Sequence, residues 1–188
     1  MLRELSDRIH RLSTGWLAAA ALVIFLLFTA LVLPNQASRS EEATSEVGSP
    51  DTSFYYSADE LYQMASSYGE EGREAYIRAR FSFDLVWPLV YGFFLSIGIS
   101  WTFRKAFSRE SKLHRANIVP VLGVLFDYFE NLSTSLVMAR YPSSTTVIDW
   151  LASVFTMLKW IFVAGSFVLL LTGFIVGILR NVSARKST

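Results

Sequence analysis

The chain has 188 residues, 52% of them hydrophobic and 18% charged, no cysteine, and a formal net charge of +1. Soluble domains carry about a quarter charged residues, so with a mean hydropathy of +0.37 this composition favours a small integral membrane protein over a soluble enzyme. Without cysteine there are no disulfides, thiolate nucleophiles, Cys-type zinc sites or CxxC pairs, which excludes the thiol-based quinone-linked oxidoreductases. The near-zero net charge gives no basis for binding nucleic acid.

Four apolar blocks follow one another. The first, 12–33, includes 18 uncharged residues from Trp16 to Leu33. That core is longer than the roughly 7–15 residues of a signal peptide, and Leu33-Pro34-Asn35-Gln36-Ala37 is a poor cleavage site, so a retained helix is predicted. A polar stretch at 35–53, rich in Ser, Glu, Thr and Ala, buries too little to offset chain entropy and is expected to be a disordered outer loop. Amphipathic helices are predicted over 57–80. Ser57-Ala58-Asp59-Glu60 is a capping box. Leu61, Met64, Ala65 and Tyr68 then share one helical face, and Gly69 is a stop signal. A second short helix near 72–80 is expected to run into the next span, and the pair to lie over the outer mouth of a bundle or to anchor at the interface.

The second block, 81–103, is interrupted by Asp84 and the third, 118–138, by Asp127 and Glu130. Both match the roughly 20 residues needed to cross the hydrocarbon. The fourth, 147–179, exceeds that length. Its span is predicted over 151–179, either projecting into the headgroups or bending near Gly165. Continuous apolar runs lack the alternation of a barrel, so the predicted fold is all-α, a single four-helix transmembrane domain.

Of 17 basic residues, 11 lie in the N-terminal tail, the loop after the second block and the C-terminal tail. The positive-inside rule then predicts a multi-pass cell-membrane protein with both termini cytoplasmic. Trp16 and Trp101 fall at the inner interface, and Tyr141 and Trp150 at the outer one. Gly173 and Gly177 form a GxxxG that permits close helix approach, within the chain or between copies in a homo-oligomer. Pro88 and Pro120 are candidate kinks.

The informative residues are ionisable groups within apolar blocks, which rarely face lipid. Asp127, Glu130, Asn131 and Thr134 recur at i, i+3, i+4, i+7 and make one polar stripe, with Phe126, Phe129 and Leu132 opposite. The stripe is read three ways. It is interhelical hydrogen-bonding glue, a cavity for a lipid, small molecule or ion, or a catalytic acid/base pair. Asp84 and Lys159 fall at a similar depth and line the entrance of an outward-opening pocket, with Arg78 and Arg80 at its mouth. Lys159 either pairs with an acid of the stripe or snorkels to the headgroups. The only histidines, His10 and His114, fall on the cytoplasmic side, so no haem or zinc site is expected. Two carboxylates at i, i+3 are a weak metal signal, and no cofactor is predicted.

Gly69-Glu-Glu-Gly72-Arg73-Glu-Ala-Tyr76, Asp84, Pro88-Leu-Val-Tyr91, Pro120 and Asp127-Tyr-Phe-Glu130-Asn131 together resemble an uncharacterised family of small four-span membrane proteins. The resemblance covers about 56–138, implies the four-span fold, and carries no activity. In topology and buried acids alone the layout is similar to the sterol-isomerase-like four-helix proteins that bind amines or sterols. The functional expectation is an integral membrane protein binding a lipid-like or cationic small molecule through Asp127 and Glu130, oriented by Asn131. The alternatives are an intramembrane acid/base enzyme acting on a lipid and a structural or accessory subunit.

Overall fold

The computed structural model describes residues 2–36, 38 and 48–186, and the described residues are helical with no strand. α1 spans Leu2–Leu12, α2 Gly15–Leu27, α3 Ala58–Ser67, α4 Gly69–Arg80, α5 Phe83–Ala106, α6 Val119–Arg140 and α7 Ile148–Lys186. α2 continues through a π-helical turn, Phe28–Val32. Among the described residues, three helical runs are long and apolar enough to cross a membrane: Gly15–Gln36, Gly69–Ala106 and Ile148–Ser183. α6 is not among them, because its acids and amide lower its apolar character.

Local sequence accounts for the helix ends. Thr14 precedes α2, and its hydroxyl accepts the Leu17 amide at 3.2 Å. The capping box at α3 is complete, with the Ser57 hydroxyl accepting from the Glu60 amide and the Glu60 carboxylate accepting from the Ser57 amide. Gly69 has φ of +63°, a left-handed conformation that glycine adopts without a Cβ penalty, and it separates α3 from α4. The second amphipathic helix therefore starts at Gly69, earlier than the predicted 72, and a turn at Phe81-Ser82 parts it from α5. Pro120 occupies the first turn of α6 and bends nothing, because the amide it lacks would have had no helical partner there. Pro88 lies inside α5 and leaves the Asp84 carbonyl without its donor. The next carbonyl, Leu85, accepts from the Tyr128 hydroxyl at 2.8 Å. α7 is α-helical without interruption through Gly165.

The chain divides into two compact units, Met1–Leu26 with Val90–Leu122 and Phe162–Thr188, and Leu27–Leu89 with Gly123–Ile161. In the first, α1 is joined to the 3-10 turn Lys112–Ile118 by Asn117. Its side chain accepts from the Ser6 hydroxyl at 2.8 Å and donates to the Ser6 carbonyl and the Ser100 hydroxyl. Gly173 packs against α5, where a Cβ would fall 2.6 Å from Phe103 and Thr102. The backbone approach that the GxxxG permits is thus used inside the chain.

In the second unit, Leu61, Met64, Ala65 and Tyr68 bury the predicted face of α3 in a core with Tyr56, Tyr76, Val137, Met138 and Ala152. The end of the stretch expected to be disordered is ordered here: Pro50–Thr52 forms a 3-10 turn with Pro50 buried. The Tyr68 hydroxyl donates to the Gly48 carbonyl at 2.6 Å and the Trp160 indole to the Ser53 carbonyl at 3.0 Å. The start of that stretch is ordered as well, Asn35, Gln36 and Ser38 being helical in continuation of α2, and 37 and 39–47 lie outside the described residues.

Candidate functional site

The α6 stripe is turned inward. Asp127, Glu130, Asn131 and Thr134 are buried, with Glu130 and Thr134 at 0% exposure. Leu125, Phe129, Leu132 and Leu136 on the other side are exposed, and Phe126 packs between, its ring 6.2 Å from Phe155. Burying four polar residues along one helix is costly unless each finds a partner, and the second unit supplies them.

Lys159, on α7, pairs with Glu130 and lies 3.6 Å from an oxygen of Asp51. It is itself buried, so of the two alternatives for Lys159 the internal pair is the one observed. Thr156, one turn earlier on α7, donates to Glu130 at 2.8 Å. The Tyr56 hydroxyl is 3.0 Å from the Thr156 hydroxyl. Burial, and secondarily the negative charge of Glu130, push the Tyr56 hydroxyl well above its ordinary range. Tyr56 therefore keeps its proton, and the Tyr56 and Thr156 hydroxyls extend the hydrogen-bonded contacts of Glu130.

Arg80 ends α4. Its Nε is 3.1 Å from Asp84, one turn on, and its Nη1 pairs with Asp51. Its guanidinium also lies over the Tyr76 ring, 4.5 Å from the centroid. Asn131 donates to Asp127 at 3.1 Å, and Asp127 lies within electrostatic reach of Arg80, Asp84 and Glu130. All five sequence-predicted residues, Asp84, Asp127, Glu130, Asn131 and Lys159, thus fall in one polar region of the second unit.

Sequence reasoning missed three members. Asp51 bridges Arg80 and Lys159 from a stretch whose composition reads as loop, and nothing in its local pattern marks it. Tyr56 and Thr156 extend the contacts of Glu130. Thr156 was detectable as the polar residue sharing a face with Lys159 at i, i+3. Arg80 was placed only at the mouth, although its i, i+4 spacing to Asp84 is that of a helical ion pair.

The chemistry available is charge recognition and hydrogen bonding. Among the described residues no group of three His, Asp or Glu side chains is placed to hold a metal ion. No family model, curated protein or solved structure matches this chain.

Proposed function

We propose that this chain is a four-span integral membrane protein whose second unit binds an amphiphile with a cationic headgroup through buried carboxylates. α2, the α4–α5 run and α7 supply three spans, and α6 is the fourth. The distribution of basic residues supports placing both termini in the cytoplasm. A fourth span is supported by the exposed Leu125, Phe129, Leu132 and Leu136, a strip suited to acyl chains beside a fully covered polar stripe.

The observation that carries the binding reading is a charge imbalance. Among the described residues, four carboxylates, Asp51, Asp84, Asp127 and Glu130, share their region with two cations, Arg80 and Lys159. An excess of acid in a low-dielectric setting is stabilised by an added cation. An amine on an apolar tail meets both the acids and the surrounding hydrocarbon.

The test uses the full chain in phosphatidylcholine nanodiscs, titrated with a fluorescent long-chain amine. Asp127→Asn and Glu130→Gln are each expected to weaken binding about tenfold or more, the worth of one desolvated charge contact. Unchanged affinity in both variants overturns the reading.

A second reading is favoured by the way the ion pairs link elements. Asp51, Arg80, Asp84, Glu130 and Lys159 come from a loop turn and four helices, an arrangement that also serves assembly of an accessory subunit. In that case the same variants lower the yield of folded protein and leave amine affinity unaltered in what remains.

A further inference from the structure

We infer that α1 and the 3-10 turn Lys112–Ile118 form a surface that docks on anionic headgroups of the bilayer the chain spans. The inference rests on the membrane reading above and makes no use of the amine site, which belongs to the second unit.

α1 is attached to the first unit through its polar side. Leu2, Leu5, Ile9 and Leu12 recur at i, i+3, i+7, i+10 and make one apolar stripe. An amphipathic helix ordinarily turns such a stripe to the core. Here the buried residue is Ser6, whose hydroxyl and carbonyl are both held by Asn117 of the 3-10 turn. Arg104 of α5 also donates to the His10 carbonyl at 3.3 Å. These polar contacts fix the helix and leave Leu2 58%, Leu5 38% and Leu12 64% exposed. The turn does the same on a smaller scale, with Leu113 exposed in company with Lys112 and Arg115.

Chain continuity and charge select the occupant. Only Ser13 and Thr14 separate α1 from α2, which opens the candidate span Gly15–Gln36, so the stripe lies where that span leaves the hydrocarbon. Trp16, in the first turn of α2, is 80% exposed and is a residue type that settles at a headgroup boundary. The segments of this unit hold eleven Lys and Arg against three acids, Glu4, Asp7 and Glu110. Contacts gather the ends of its helices: Arg104 of α5 reaches α1, and Arg180 of α7 donates to the Ala106 carbonyl at 2.8 Å. Arg8 adjoins the leucine stripe on the helical wheel, and Arg8 and Arg11 are exposed. A basic helix with an outward apolar stripe lies in the interface, its leucines among acyl chains and its arginines at negative headgroups.

The chain has no cysteine, so Leu5→Cys carries a single environment-sensitive NBD fluorophore. The labelled full chain is placed in nanodiscs of phosphatidylcholine alone or with about one-third phosphatidylglycerol, and the neutral quencher acrylamide reads the exposure of the label. Shielding is expected to be about threefold stronger in the anionic discs and to be relieved by about 0.5 M salt, which shortens the reach of the charges. Arg8→Gln/Arg11→Gln is expected to remove most of the difference between the two lipids, and Arg8→Lys/Arg11→Lys, which keeps the charge, to preserve it. Equal shielding in both lipids overturns the inference, as does a difference that survives Arg8→Gln/Arg11→Gln in full. Shielding that follows the number of copies per disc instead of lipid charge assigns the stripe to a second copy and overturns it as well. Failure of the chain to enter the discs overturns the membrane reading, and this inference with it, an outcome distinct from loss of lipid dependence in chain that has entered.

Discussion

Replacing Lys159 by methionine isolates the most buried ion pair among the described residues. Glu130 is at 0% exposure and Lys159 at 5%, so neither end reaches bulk water. In the variant, Glu130 Oε1 keeps the Thr156 hydroxyl at 2.8 Å, whereas Oε2, which has Lys159 as its partner and no hydrogen bond besides, is left bare. Asp51 loses one of its two cations and retains Arg80. Removing one member of a buried pair costs about 3–5 kcal/mol, whereas replacing both is often neutral. For a chain of this size that is a fall in Tm on the order of 10 °C. The assay is thermal unfolding of the full chain in nanodiscs, followed by fluorescence of the neighbouring Trp160. Lys159→Met/Glu130→Gln should recover most of the loss, with a coupling of about 2–3 kcal/mol. A single variant that melts with the parent, or a double variant no more stable than the single, would refute the argument that the pair is desolvated.

Gly173→Ala places a methyl group 2.6 Å from Phe103 and Thr102 and should cost about 1–3 kcal/mol through overpacking. Gly165→Ala meets nothing within 4 Å and should be neutral or stabilising by up to about 1 kcal/mol. Equal melting temperatures for the two variants would contradict this account of the glycines. At α3, Ser57→Ala should cost about 1 kcal/mol, read as faster amide exchange across Ala58–Ser67. The Ser57 amide and then its hydroxyl hold the Glu60 carboxyl below its ordinary value of 4.5. With the folded value depressed, the cap contributes fully above the unfolded value and is lost as pH falls through the folded one. Protection of α3 should therefore decline on the acid side of about pH 4.5 in the parent, and Glu60→Gln should flatten that decline. A decline of the same size in Glu60→Gln would place its origin elsewhere.

The legible parts of this protein are those set by short-range periodicity. The capping box and the buried face of α3 follow from spacings of three and four residues. So does the division of α6 into a covered stripe and an exposed strip. The illegible parts are choices between distant partners. Spacing put Lys159 on the right stretch but left it free to snorkel or to pair. What decides is Glu130, 29 positions earlier in the sequence, whose burial makes an unpaired outcome costly for both. Asp51 is the extreme case. Composition describes 35–53 as too polar to order, and an average over such a window has no means of marking the single acid that two buried cations select. Its order comes from α4 and α7, and no local pattern carries that information.

The same physics resolves an apparent conflict over α6, the proposed fourth span. By average hydropathy it is the least suited of the long helices to a bilayer, because Asp127, Glu130 and Asn131 weigh against it. An average over a helix treats every side chain as if it faced the same solvent. Here Asp127, Glu130 and Asn131 are buried, with Lys159 paired to Glu130 and Asn131 donating to Asp127, while the side chains exposed before the helix ends at Ala139 and Arg140 are Leu125, Phe129, Leu132 and Leu136. The surface that α6 offers outward is apolar, and the cost of its acids is met by protein, where ion pairs and hydrogen bonds offset desolvation. A helix with this division can enter hydrocarbon only together with the partners that neutralise its stripe. Insertion of α6 and formation of the Glu130–Lys159 pair are therefore coupled steps in this reading, and loss of the pair acts on assembly in the membrane as well as on stability.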